Sequence, residues 1–265
     1  MPSPLTGRPP PEVHLTNAPV ARVIAQVRFP PIASLNQQAF IGPFQEAIRD
    51  EYAVMRSAAA NRVQVTMPGQ PRIDLSTDHA WLFHDLNHPW RAVLASDFLA
   101  LETRAYTSRA DLLLRLDRLV AALAIHVRPG AIDRIGVRYI DRLTGDALCD
   151  VDRLVRPDLL GVMGTDVFDH ALVCATEAHL QLAEERGVLR VRWGWLPAGV
   201  ALDPNGLEPV DEPSWVLDLD AFREGERPFE PGAIVAEAQA LAERAYGFYR
   251  WSVTDAFLTR FGGTP

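Results

Sequence analysis

The residues best suited to chemistry are charged and alternate with apolar ones. In AIDRIGVRYIDRL, residues 131–143, arginine recurs every fourth position as Arg134, Arg138 and Arg142. A guanidinium offers five donors in a planar fork and suits carboxylates and phosphates. Tyr139 and Asp141 lie among these arginines. Later, Asp218 and Asp220 of WVLDLDAF stand two apart, which on a strand puts both on one face, about 7 Å from each other. Such a pair can do acid–base work or hold Mg²⁺. Arg190 and Arg192 occur in the neighbouring run VLRVRWGWL, and cross-strand pairing with Asp218 and Asp220 accounts for all four charges without a reaction.

His79, His84 and His88, with Asp78 and Asp85 close by, are the one concentration of metal-capable side chains. Zinc or iron needs three or four such ligands converging at about 2.0–2.3 Å. On a strand His79 and His84 point to opposite faces, so these three histidines are weak metal candidates and no cofactor is expected. There is no Gly-x-Ser-x-Gly elbow, and Gly161–Gly164 is too short for a dinucleotide turn. Cys174 reads as a buried structural thiol and Cys149 as a loop thiol without a base.

The elements that would position these groups follow from periodicity. VARVIAQVRF alternates as a strand with Val23, Ala25, Val27 and Phe29 on one side. A helix is predicted within 37–56, beginning near Pro43, with Phe40, Phe44, Ala47, Ile48 and Tyr52 as its apolar stripe. Short strands follow over 62–67, 72–75, 80–86, 91–95 and 98–106. Ser108 and Asp111 open a helix whose buried stripe includes Leu112, Leu116, Leu119, Val120 and Leu123, stopped by Pro129-Gly130. The run 131–143 is a strand with Ile135, Val137 and Tyr139 on one face and the arginines, Ile132 and Ile140 on the other. Then come a short helical piece over 152–160, a hairpin of 171–183 with 188–196 turning through 184–187, a strand over 214–222, and a helix over 231–249 with a last capped turn.

This order predicts an α+β fold of two similar β-α-β-β-β-α halves, each an antiparallel sheet covered by a long helix. The expected divisions are an extended leader over 1–14, a first half over 15–130 and a second over 131–265. Trp193, Trp195, Trp215, Tyr246, Phe248, Tyr249 and Trp251 crowd the second half. If the space beneath its long helix is incompletely filled, they line an apolar pocket with arginines at the mouth.

Composition narrows the function. The 265 residues include 26 cationic ones, all arginine, against 34 acidic ones, a net charge of −8. Without lysine there is no Schiff-base, P-loop or kinase lysine, which excludes pyridoxal-phosphate and class I aldolase chemistry. The acidic balance disfavours nucleic acid. No apolar run reaches 18 residues, and the Pro-rich start lacks the apolar core of a secretion signal. Two cysteines make no disulfide framework, so cytoplasm is the expected location.

Together LTNAPVARVIAQVRF, FQEAIRDEY, RIGVRYIDRL, WVLDLDAF and FYRWSVTDAFLTRFG resemble a sporadically distributed bacterial protein family without assigned activity, over about Leu15 to Gly262. The resemblance implies a common fold and adds weight to Arg138, Tyr139 and Asp141. It transfers no catalytic residue, and HAWLFHDLNH lies outside the family pattern.

Two functions fit. The first is a non-enzymatic binding or adaptor protein for a protein or peptide partner, using free strand edges. The second is a small anionic ligand-binding protein or an enzyme, with its site at the junction of the halves. The residues proposed to bind ligand or partner are Arg134, Arg138, Tyr139, Asp141, Arg190, Arg192, Asp218 and Asp220.

Overall fold

Runs that alternate apolar and polar side chains become strands, and the two long single-stripe runs become helices laid across them. The computed structural model describes residues 3–7, 9–66, 72–87, 89–182, 187–204 and 206–264, without the side chains of 59–66 and 72–78. In chain order the elements are β1 (Val20–Arg28), α1 (Gln38–Ile48), β2 (Val54–Thr66), β3 (Arg72–His84), β4 (Trp90–Ala95), β5 (Phe98–Thr103) and α2 (Arg109–His126). The second half supplies β6 (Ala131–Leu143), the short α3 (Gly145–Cys149) and α4 (Val151–Leu154), β7 (Cys174–Gln181), β8 (Val188–Leu196), β9 (Ser214–Pro228), α5 (Pro231–Ser252) and α6 (Asp255–Arg260). No helix among the described residues is long and apolar enough to cross a membrane.

The strands form one antiparallel sheet in the order β2-β3-β4-β5-β1-β6-β9-β8-β7. The sequence leaves open whether the halves share one sheet or form two; β1 and β6 pair from Val20↔Asp141 to Arg28↔Arg134, so the sheet is single. Joining the halves this way removes two unpaired edges that separate sheets would expose. In each half the first strand lies at the centre and the later strands run from the rim inward.

One face of the sheet carries the helices and the main core. Val23, Ala25, Val27, Ile135, Val137, Leu189, Val191, Leu217 and Leu219 pack there beneath α1, α2 and α5. Helix α2 begins as its sequence dictates: Ser108 Oγ accepts the Asp111 N–H at 3.1 Å, satisfying one of the orphan donors of the first turn. Thr254 does the same for α6 through Phe257 N–H.

Several boundaries differ from the sequence reading. Pro43 lies inside α1, not in its first turn; the buried anchors Ile41, Phe44 and Ile48 hold the helix on the core around the missing hydrogen bond. Tyr52 is buried beyond the helix end, and β2 starts at Val54, where 54–56 had been read as helix. The stretches 72–75 and 80–86 form the single strand β3, because its pairing with β2 runs unbroken through Ser76, Thr77 and Asp78. Beyond α4 the chain makes three 3₁₀ turns, over Pro157–Leu159, Gly161–Gly164 and Asp166–His170. Met67, and residues 183–186 of the second hairpin, lie outside the described residues.

Two bulges reset which residues share a face. One between Ile132 and Arg134 turns Ile132 into the helix-side core, away from the arginines it was expected to join. The other, between Val20 and Arg22, lets Val20 pack on the helix side while Arg22 faces the opposite way.

Candidate functional site

Successive residues of β6 point to opposite faces of the sheet, and this divides the proposed binding residues. Arg134 and Arg138 lie on the face without helices, and Tyr139 and Asp141 lie under the helices.

On the helix-free face Asp218 and Asp220 of β9 stand between arginines from both neighbours. Arg138 grips Asp218 with two bonds of 2.8 Å, and Arg192 reaches the same carboxylate at 2.6 Å. Arg134 and Arg190 share Asp220 at 3.1 and 2.9 Å. The sequence had paired the two aspartates with Arg190 and Arg192 alone; β6 adds the second pair. Arg134 lies flat because Gly136 leaves room, a Cβ there standing 2.8 Å from its guanidinium, and it covers the Phe222 ring at 4.4 Å. Leu202, Asp203, Gly206 and Leu207, from the connection between β8 and β9, lie over the row. Asp203 reaches Arg138 at 3.0 Å and Arg192 at 3.2 Å. Burial would raise the Asp203 carboxyl, but these two guanidinium groups hold it below the usual range. Gly206 sits against Arg138, and Leu202 and Leu207 pack on Ile140, Leu196 and Val216. The space remaining beside Arg138 and Asp218 is about 10 Å³, too small for more than one water. These residues make a closed ionic lattice with no room for a substrate.

The opposite face holds a cavity of about 280 Å³ at the junction of the halves. Its floor is Val20 of β1 with Tyr139 and Asp141 of β6; its walls are Tyr246 and Tyr249 of α5 and Tyr106 and Arg109 at the start of α2. The leader forms its rim with Glu12 to Leu15. Leu5 and Val13 of the leader, and Leu15 just after it, pack on the core. The Tyr246 hydroxyl accepts the Val13 N–H at 2.8 Å and donates to Pro11 C=O at 3.2 Å. Arg109 pairs with Glu12 at 3.0 Å and lies over the Tyr246 ring. Tyr106 and Tyr139 meet edge to face at 5.5 Å, and burial raises the pKa of both phenols.

Asp141 is the exceptional group. It is 3% exposed, and its Oδ1 has no hydrogen-bond partner among the described residues. Burial first, and the Asp218 charge second, push its carboxyl up to about 7. An uncompensated carboxylate in the interior is costly, and the group answers by holding its proton. Arg109 Nη1 is a second buried polar atom on this cavity without a partner. A larger groove of about 520 Å³ runs along α5 beside Arg223 and Arg227, but both arginines pair with Glu237 there.

Among the described residues no group of three or more His, Cys, Asp or Glu could hold a metal ion. His79 is exposed, packing edge-on against Trp81, whereas His84 is half-buried at the end of β3. His88 lies outside the described residues. Cys149 is exposed and Cys174 only half-buried, at the start of the rim strand β7, so the expected burial of Cys174 is not complete.

Of the aromatic residues that crowd the second half, Tyr246 and Tyr249 line the cavity, and Trp215 and Phe248 are buried in the core. Sequence reasoning missed Glu12, Tyr106 and Arg109. A usable signal existed for Asp141: it continues the alternation of Ile135, Val137 and Tyr139, a carboxyl on an otherwise apolar face. Compared with protein-family models and with curated proteins, the chain matches none.

Proposed function

We propose that the protein binds a small molecule in the tyrosine-lined cavity between its two halves. The observation that carries this reading is a cavity beneath α5 with a buried ionisable group on its floor whose Oδ1 has no partner among the described residues. Close-packed interiors rarely leave either, and a concave, mostly apolar pocket with a few polar groups is the usual form of a ligand site. A thermal-shift screen of small metabolites tests it. Compounds should raise the melting temperature of the native protein and lose that effect in Ala242→Leu, which fills the cavity from α5. If no compound shifts the native protein at millimolar concentration, the reading falls.

A protein or peptide partner remains the second reading, favoured by β7. This strand ends the sheet, its Ala175, Thr176, Glu177 and His179 are exposed, and Leu172 and Val173 beside it are exposed as well. Such an edge can accept an added strand. Co-purification with the product of a neighbouring gene, abolished by Thr176→Pro, would support it; a chain that elutes alone would count against it.

We also infer that the halves are a tandem pseudo-repeat and that the bacterial family resemblance reflects common descent. Matching strand order supports the repeat. So does a matching charge pattern: Glu102 of β5 is held by Arg22 of β1 and Arg91 of β4, as Asp220 of β9 is held by arginines of β6 and β8.

A further inference from the structure

On the reading that the cavity is a binding site, we propose that its ligand is an organic cation whose ammonium centre rests against Asp141 within the ring of Tyr106, Tyr139, Tyr246 and Tyr249. The charges lining the cavity point this way. Arg109 is neutralised by Glu12 at 3.0 Å, which leaves Asp141, once it ionises above about pH 7, as the acidic group of the lining without a counter-ion among the described residues. A bound monocation would balance it; an anion would add like charge beside a buried carboxylate.

The tyrosines suit the same occupant. The Tyr246 hydroxyl is committed to Val13 and Pro11, and the Tyr106 hydroxyl lies 3.4 Å from Glu12. Their polar ends are therefore engaged at the leader, and aromatic ring surface remains for the ligand. Ring faces attract cations, most strongly where water is excluded. Tyr246 already shows the preference, with the Arg109 guanidinium 5.6 Å from its ring centre. A volume of about 280 Å³ is at the small end of ligand pockets, roughly 300–1,000 Å³, so an alkyl- or arylammonium fits where a nucleotide would not.

Titration calorimetry and thermal shift with n-butylammonium, benzylammonium and tetramethylammonium chloride test the proposal, with n-pentanol, benzyl alcohol and benzoate as matched neutral and anionic probes. At least one cation should bind in the millimolar range or tighter at pH 8 and raise the melting temperature by about 2 °C or more at saturation. Asp141→Asn, checked for native melting, should weaken that cation at least tenfold while leaving benzyl alcohol unchanged. Equal binding of cations and neutral probes, or unaltered cation binding in Asp141→Asn, overturns the proposal while the cavity reading stands. Binding of benzoate alone overturns it in favour of Arg109. If no probe binds but metabolites in the screen do, the ligand class is wrong and the site is right; if nothing binds in either experiment, both fall.

Discussion

The two faces of β6 differ in charge and in how that charge is satisfied. Arg134 and Arg138 look the more reactive in sequence, yet each is locked to an aspartate that a second arginine also holds. Asp141, one residue beyond Ile140 on the same strand, faces the helices and has an oxygen without a partner among the described residues. The proposed site therefore lies away from the densest charge, where a buried carboxyl oxygen has no partner among the described residues. In the lattice each carboxylate is held by two or more guanidinium groups, though Arg190 Nε is left without a partner among the described residues; among those same residues the Asp141 carboxyl has no cation beside it.

The largest effect should come from breaking the paired face. Asp218 is 3% exposed and serves both Arg138 and Arg192; Asp218→Ala leaves two poorly exposed cations with Asp203 alone. We expect a loss of roughly 3–5 kcal/mol in equilibrium denaturation, and a loss under 1 kcal/mol would mean the lattice is ornamental.

The unpaired face should respond with the opposite sign. In the native state Asp141 keeps its proton up to about pH 7, whereas its ordinary value is 3.8. Between those values the folded chain binds the extra proton, so native stability falls as pH rises from about 4 to 7. At about 1.4 kcal/mol per unit over about 3 units the fall amounts to roughly 4 kcal/mol. Asp141→Asn should flatten this slope, measured by urea midpoints at pH 4.5 and 8; an unchanged slope would remove Asp141 from the account.

Smaller changes sharpen the contrast. Tyr246→Phe breaks the bonds that tie the leader over the cavity, a cost of about 1 kcal/mol, and should speed hydrogen exchange at Val13 while leaving the lattice amides untouched. Arg190 is 30% exposed and shares Asp220 with Arg134, so Arg190→Ala should cost about 1 kcal/mol or less. A larger loss would show that the lattice depends on its outer member.

Much of this architecture was legible in advance. Alternation located β6 at both ends, and the Ser108 cap with Pro129-Gly130 bounded α2. The hairpin of β7 and β8 could also be read, since strand neighbours joined by a short turn have only a few registers, and so could the pairing of Arg190 and Arg192 with Asp218 and Asp220, because two alternating strands with opposite charges at matching spacing complement each other. The bulge at Ile132 could not, because an extra residue leaves the local pattern intact while it reverses the face of what precedes it. Nor could the continuity of β3, where Ser76, Thr77 and Asp78 look like a turn and are held extended by a partner strand.

By itself the sequence determined the α+β class, the positions of the long helices, the absence of every lysine-dependent chemistry and the assignment of Asp218 and Asp220 to one strand face. Only the folded chain decided that the two halves share one sheet, that Arg138 and Tyr139 serve different sides of it, and that the leader from Glu12 to Leu15 closes a cavity above Asp141. The reason is range. Propensity and alternation act over neighbouring residues, whereas a cavity exists only where segments more than a hundred positions apart meet and fail to fill the space between them.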